Sequence, residues 1–315
     1  MLILALIPVL MGAGLATQTA INSKLRHFVG SPYVASGISF AIGMLFLIIL
    51  CVLTGQSLTV TSTFIATQPW WIWLGGLLGV IGLTGNIILF NVLGSIQASV
   101  LPILGQISMG VIIDQFGLFN SPTQPMTLIK LMGIILVIVG VCITIGVFNP
   151  PNPMGQATQS RNRPQHQFLY QLFGVIAGML MATQTAINGH LGVALNSSMQ
   201  AAAISFTIGT LVLLVVIILT RADLTTIKAA ISGTATYHWL WFGGFIGGAY
   251  ILCSSWLVPK IGTGQVVVLA LFGQLLFSAI IEHAGLFDSF SVRIDREKII
   301  GLILMFISVL GIHFL

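Results

Sequence analysis

The stretch Ala16-Thr17-Gln18-Thr19-Ala20-Ile21-Asn22 returns unchanged as Ala182-Thr183-Gln184-Thr185-Ala186-Ile187-Asn188. The match extends outward from it. Ile38-Ser39-Phe40 and Ile42-Gly43 align with Ile204-Ser205-Phe206 and Ile208-Gly209 at the same spacing of 166. At a spacing of 168, Trp73, Gly75 and Gly76 align with Trp241, Gly243 and Gly244, and Gly105-Gln106 aligns with Gly273-Gln274. Asp114 followed by Gly117-Leu118-Phe119 returns as Glu282 followed by Gly285-Leu286-Phe287, and Lys130 and Gly133 return as Lys298 and Gly301. Shared Gln, Asn, Gly and Trp do not arise from apolar composition alone. The chain is a duplication.

The medium in which this duplicated unit folds follows from composition. Of 315 residues, 57% are hydrophobic and 5% charged, and the mean hydropathy is +1.07. A soluble domain carries about a quarter of its residues as charges, so most of this surface faces lipid. Backbone groups in lipid must be paired within the protein, which leaves helices or a closed barrel. The long apolar runs lack two-residue alternation and read as helices. The net charge of +5 does not indicate nucleic acid, because the basic residues lie singly or in pairs between apolar runs. Cys51, Cys142 and Cys253 lie far apart without a CxxC spacing, so neither a metal site nor a cofactor is expected.

About 20 apolar residues cross the hydrocarbon core, and ten segments qualify: 2–22, 33–54, 69–92, 96–113, 127–148, 168–189, 199–220, 238–258, 264–282 and 298–315. The first resembles a signal peptide but lacks a basic leader, and its polar end recurs inside the chain, so it reads as a retained helix. Trp70, Trp71, Trp73, Trp239 and Trp241 open two segments, as interfacial anchors do. Residues 1–148 form a first five-helix repeat and 168–315 a second. The intervening 149–167, rich in proline and polar residues, reads as a cytoplasmic linker.

Five is odd, so the second repeat enters the membrane from the opposite side. The expected fold is an all-α integral membrane protein of ten transmembrane helices in two inverted-topology repeats. With connections placed alternately, nine basic residues gather on one side: Lys24, Arg26, Arg161, Arg163, Arg221, Lys228, Arg293, Arg296 and Lys298. Only Lys130 and Lys260 fall on the other. The richer side should be cytoplasmic, which puts both termini outside. An inverted repeat gives one sequence two near-equivalent packings, each open to one face. That is the basis of alternating access in secondary transporters.

Polar residues inside membrane helices line cavities or pair across helices. The candidate substrate-binding groups are Gln18, Asn22, Asn86, Gln106, Gln184, Asn188 and Gln274. Their amides can equally tie the halves together. Asp114 and Glu282 each end an apolar helix, with Lys130 or Lys298 sixteen residues later. These four are either salt bridges between consecutive helices or a gate and ion-coupling pair. Gly75-x-x-x-Gly79 and Gly243-x-x-x-Gly247 permit close helix contact, by default within the monomer as a pseudo-dimer, with a homodimer as the alternative.

With these endings and the repeated heptapeptide, the chain resembles bacterial drug/metabolite transporters, and within them the YdcZ-like branch in its fused ten-helix form. The resemblance spans nearly the full length. It implies the bacterial cytoplasmic membrane and export of a small organic metabolite or drug-like compound. It carries over no binding residues. The chain is more distantly similar to small multidrug resistance proteins, whose first helix holds a proton- and cation-binding glutamate. Gln18 and Gln184 stand in that neighbourhood here. An enzyme is not expected, since HExxH, GxSxG and GxxxxGK[ST] patterns are all missing. The remaining alternatives are a lipid flippase and a channel.

Overall fold

The computed structural model describes residues 2–144, 167–233, 237–288 and 296–314, all helix and turn with no strand among them. Most of the expected 149–167 linker lies outside this range. The main helices are α1 (Leu2–Val29), α2 (Pro32–Leu53), α3 (Ser62–Thr67), α4 (Gly75–Phe116) and α5 (Leu128–Thr144). They are followed by α6 (Gln167–Ala194), α7 (Ser198–Leu219), α8 (Ile227–Gly233), α9 (Phe242–Ile261), α10 (Thr263–Ala284) and α11 (Arg296–Phe314). Six helices of the described residues are long and apolar enough to cross a membrane, within 4–29, 32–53, 167–194, 198–219, 238–261 and 263–281. Two shorter apolar helices cover 101–116 and 128–144.

The helix ends follow local chemistry. Ser31 caps α2 by accepting from the Val34 N–H at 3.4 Å, with Pro32 at the first helical position, and Ser197 caps α7 from Gln200 at 3.2 Å. These serines are themselves 166 residues apart. Helix α1 runs to Val29, well past the expected end at residue 22, because nothing breaks it before Gly30 at φ +67. Lys24 and Arg26 therefore ride on the helix and not in a loop. Helix α6 likewise carries His190 inside its last turns.

The expected break between residues 92 and 96 does not interrupt the helix, since α4 runs 42 residues through it. It is nevertheless not straight. A β-carbon on Gly174 would touch Leu101 Cβ at 3.0 Å and Leu89 Cδ1 at 3.4 Å. Twelve residues of straight helix would hold those two leucines about 18 Å apart. The two arms of α4 bend back between them so that both pack on α6. In the second half the corresponding chain is cut into α9 and α10 at Gly262, φ +87.

Packing joins the halves at every level. Phe40 of α2 and Phe206 of α7 stack with centroids 4.9 Å apart. A β-carbon on Gly43 would strike Phe206, and one on Gly209 would strike Phe40. Gly12 of α1 lies against Ala270 of α10, while Gly178 of α6 lies against Pro102 of α4. Gly140 of α5 meets Gly301 and Met305 of α11. The first helix of each half thus rests on the third and fourth segments of the other.

Candidate functional site

The repeated heptapeptide places its amides against glycines of the opposite half. Gln18 and Asn22, four residues apart, share one face of α1. A β-carbon on Gly247 would lie 2.5 Å from Gln18 Nε2, and one on Gly243 would lie 2.5 Å from Asn22 Oδ1. On α6, Gln184 Nε2 would meet a β-carbon on Gly79 at 2.6 Å, and Asn188 Oδ1 would collide with one on Gly75. The two small-residue motifs are therefore seats for side-chain amides inside the monomer. Any residue larger than glycine would displace them.

These amides are not all satisfied. Asn22 is 6% exposed and Asn188 1%, yet Asn22 Oδ1 and Nδ2 and Asn188 Nδ2 find no hydrogen-bond partner. Asn86 Oδ1 and Thr84 Oγ1 on α4 are also buried and unpaired. Each such orphan costs about 1–3 kcal/mol relative to a hydrated or bonded state. Gln106 and Gln274 are half-buried, each next to a glycine (Gly105, Gly273) at which α4 crosses α6 and α10 crosses α1.

Asp114 is not placed as the salt-bridge reading has it. It is 6% exposed and accepts from the backbone N–H groups of Thr263 (Oδ1, 2.8 Å) and Gly264 (Oδ2, 2.8 Å). It thus caps the first turn of α10, where the helix dipole favours an anion. The salt bridge expected between Asp114 and Lys130 is not formed. Lys130 Nζ instead donates to Gln124 Oε1 at 3.1 Å, an oxygen that also accepts from Gln265 Nε2 at 3.2 Å. Gln124 Nε2 in turn donates to the Ile261 carbonyl at 2.7 Å. The acid and the lysine both serve this inter-half junction, but through backbone and amide. The Glu282 side chain lies outside the described residues. Lys298 sits in the first turn of α11.

Two further clusters escaped the sequence reading. At the end of α1, Lys24 Nζ bonds Asp288 Oδ2 at 2.9 Å and lies 4.5 Å from the Tyr237 ring centroid. Trp239 makes edge-to-face contacts with Tyr237 (5.5 Å) and Phe287 (5.1 Å). The hydrogen bond from Lys24 holds the Asp288 carboxyl below the usual carboxylate range. At the end of α6, His190 Nε2 lies 3.3 Å from Asn120 Nδ2. Trp71 packs on both His190 and Phe119 with centroids 5.3 Å away. Four members of one cluster have counterparts in the other: 24 with 190, 239 with 71, 287 with 119 and 288 with 120; Tyr237 has none, its equivalent position being Pro69. The usable signal was the residue after each Gly-Leu-Phe, Asn120 and Asp288, at the repeat spacing.

Residues 3–143 and 169–311 both match the sequence profile of the family described as "Putative inner membrane exporter, YdcZ". The chain belongs to this exporter family. The double match agrees with the duplication read from the heptapeptide and makes the chain a multi-pass membrane protein of exporter type. Of solved structures, one described as "Crystal structure of protein" is similar over 99% of this chain and 96% of its own, with a TM-score of 0.64 at 14% identity. That likeness is one of fold. No curated protein matches the chain.

Proposed function

We propose that this YdcZ-family chain is a secondary transporter of ten membrane helices in two inverted five-helix halves. It exports a small organic compound by alternating access, with both termini outside the cytoplasm. One observation supports the reading: among the described residues, three contacts between the halves each join connections that the charge rule assigns to the same face. Lys24 meets Tyr237 and Asp288, all on the side that gathers nine basic residues. Trp71, Asn120 and His190 meet one another on the other side, as do Asp114 and the Thr263-Gly264 turn.

The side-chain amides are then the substrate-facing groups: Gln18, Asn22, Gln184 and Asn188 on their glycine seats, with Asn86, Gln106 and Gln274 as further candidates. From Leu2 to Asn22 in α1 and from Gln167 to Gly189 in α6 the sequence holds no charged residue. An uncharged or internally balanced solute fits such a path, since a net charge would find no counter-ion there. Purified protein is screened for stabilising ligands by thermal shift, and the best ligand is taken into proteoliposomes. Saturable flux with counterflow is expected. Flux that rises linearly with concentration indicates a channel, and movement of labelled lipid indicates a flippase. Impermeant labelling that finds residues 24 and 190 on the same face removes the inverted arrangement.

A further inference from the structure

The clusters at the ends of α1 and α6 are built on an unusual backbone. After the left-handed caps Gly117 and Gly285, Phe119 and Asn120 sit at φ 57 and 56, and Phe287 and Asp288 at φ 58 and 57. A bulky side chain at positive φ is strained, and here the strain is repeated at the same place in both halves. In each copy the turn carries one aromatic ring and one polar side chain over the end of a helix from the other half. Two residues back along that helix lies a buried asparagine with unpaired amide atoms, covered by the helix start that follows the cluster's tryptophan: Asn22 by Gly243, four residues after Trp239, and Asn188 by Gly75, four residues after Trp71.

The copies differ in one respect. One is held by an ion pair, Lys24 to Asp288, the other by a neutral contact, His190 to Asn120. The lysine and aspartate side chains are 22% and 48% exposed, so the pair is a solvent-screened surface ion pair of modest strength.

We propose that Lys24–Asp288 and His190–Asn120 are the two gating pairs of the transport path. Each strained Gly-Leu-Phe turn is a latch on the tryptophan it packs against; its release frees the helix start that follows to lift from the asparagine, the first polar group a solute meets. The neutral latch holds less tightly, so the empty carrier opens more often on the face of His190. This rests on the alternating-access reading above.

The test uses the full chain with Cys51, Cys142 and Cys253 replaced by alanine, in sealed vesicles, at a pH well above the histidine range. Asn22→Cys and Asn188→Cys are labelled separately with an impermeant maleimide supplied on each face. The cysteine at 188 should react roughly two- to fivefold faster than the one at 22, the ratio an ion pair of this exposure provides. Exchanging the pairs, by Lys24→His with Asp288→Asn and His190→Lys with Asn120→Asp, should reverse the order. Should the fourfold variant fail to fold, Asp288→Asn alone should speed labelling at 22, and Lys24→Asp with Asp288→Lys should restore protection. Rates at 22 and 188 that ignore all these changes overturn the proposal, even where counterflow is intact. Labelling that shifts as expected, while the cysteine-free chain with both asparagines intact shows no counterflow, leaves the latches standing and removes the carrier reading instead.

Discussion

Glycine and asparagine carry the argument at the scale of single residues. Gly12 and Gly178 lie so close to the backbones of Ala270 and Pro102 that neither helix can yield to a methyl group. Gly12→Ala and Gly178→Ala should each destabilise the protein by about 1–3 kcal/mol, read as a lower melting temperature in detergent. Gly14→Ala is the control: its β-carbon would meet only the Ile246 side chain, at 3.1 Å, and the melting temperature should barely move. Asn22 separates fold from function. Its amide is buried and unpaired, so Asn22→Leu should leave the melting temperature equal or higher while lowering solute exchange roughly three- to tenfold. A large loss of stability would show that the amide is a structural tie. The importance of these positions was legible in the sequence because Gln, Asn and Gly recur at one spacing. That the amides seat on the glycines was not, because each pair spans the two halves and neither spacing encodes it.

The helix ends decide what holds the halves in register. Asp114 binds two backbone N–H groups of α10, so Asp114→Asn, which keeps one acceptor oxygen and loses the charge, should cost about 1–2 kcal/mol. Lys130→Met should cost less than about 0.5 kcal/mol, because Gln124 keeps its bond from Gln265. Equal losses from the two substitutions in a thermal melt would restore the direct salt bridge. Sixteen residues between acid and lysine suggested that bridge. Sequence distance favoured the near partner, while the nearest unpaired donors were the first N–H groups of a helix 149 residues away. Element ends were legible where α2 begins after Gly30-Ser31 and where Gly262 parts α9 from α10, whereas the end of α1 was expected at residue 22 and lies at Val29. They were not legible in α4, where Gly94 occupies the position of Gly262 and the helical assignment nevertheless runs through.

The whole molecule is two units that lean on each other more than on themselves. Helix α1 rests on α9 and α10, α6 rests on α4, α2 stacks on α7, and α5 packs on α11. A protease site placed between residues 149 and 167 and then cut should leave the fragments together through gel filtration in mild detergent. Fragments that separate would mean that the inter-half packing is weak. This interlocking also bears on inheritance. A duplicated protein ordinarily frees one copy to wander while the other keeps the old task, but here each copy is the mould in which the other is cast. A mutation at Gly243 must be answered at Asn22, and one at Gly79 at Gln184. Related sequences should therefore record paired changes that cross from one copy to its twin.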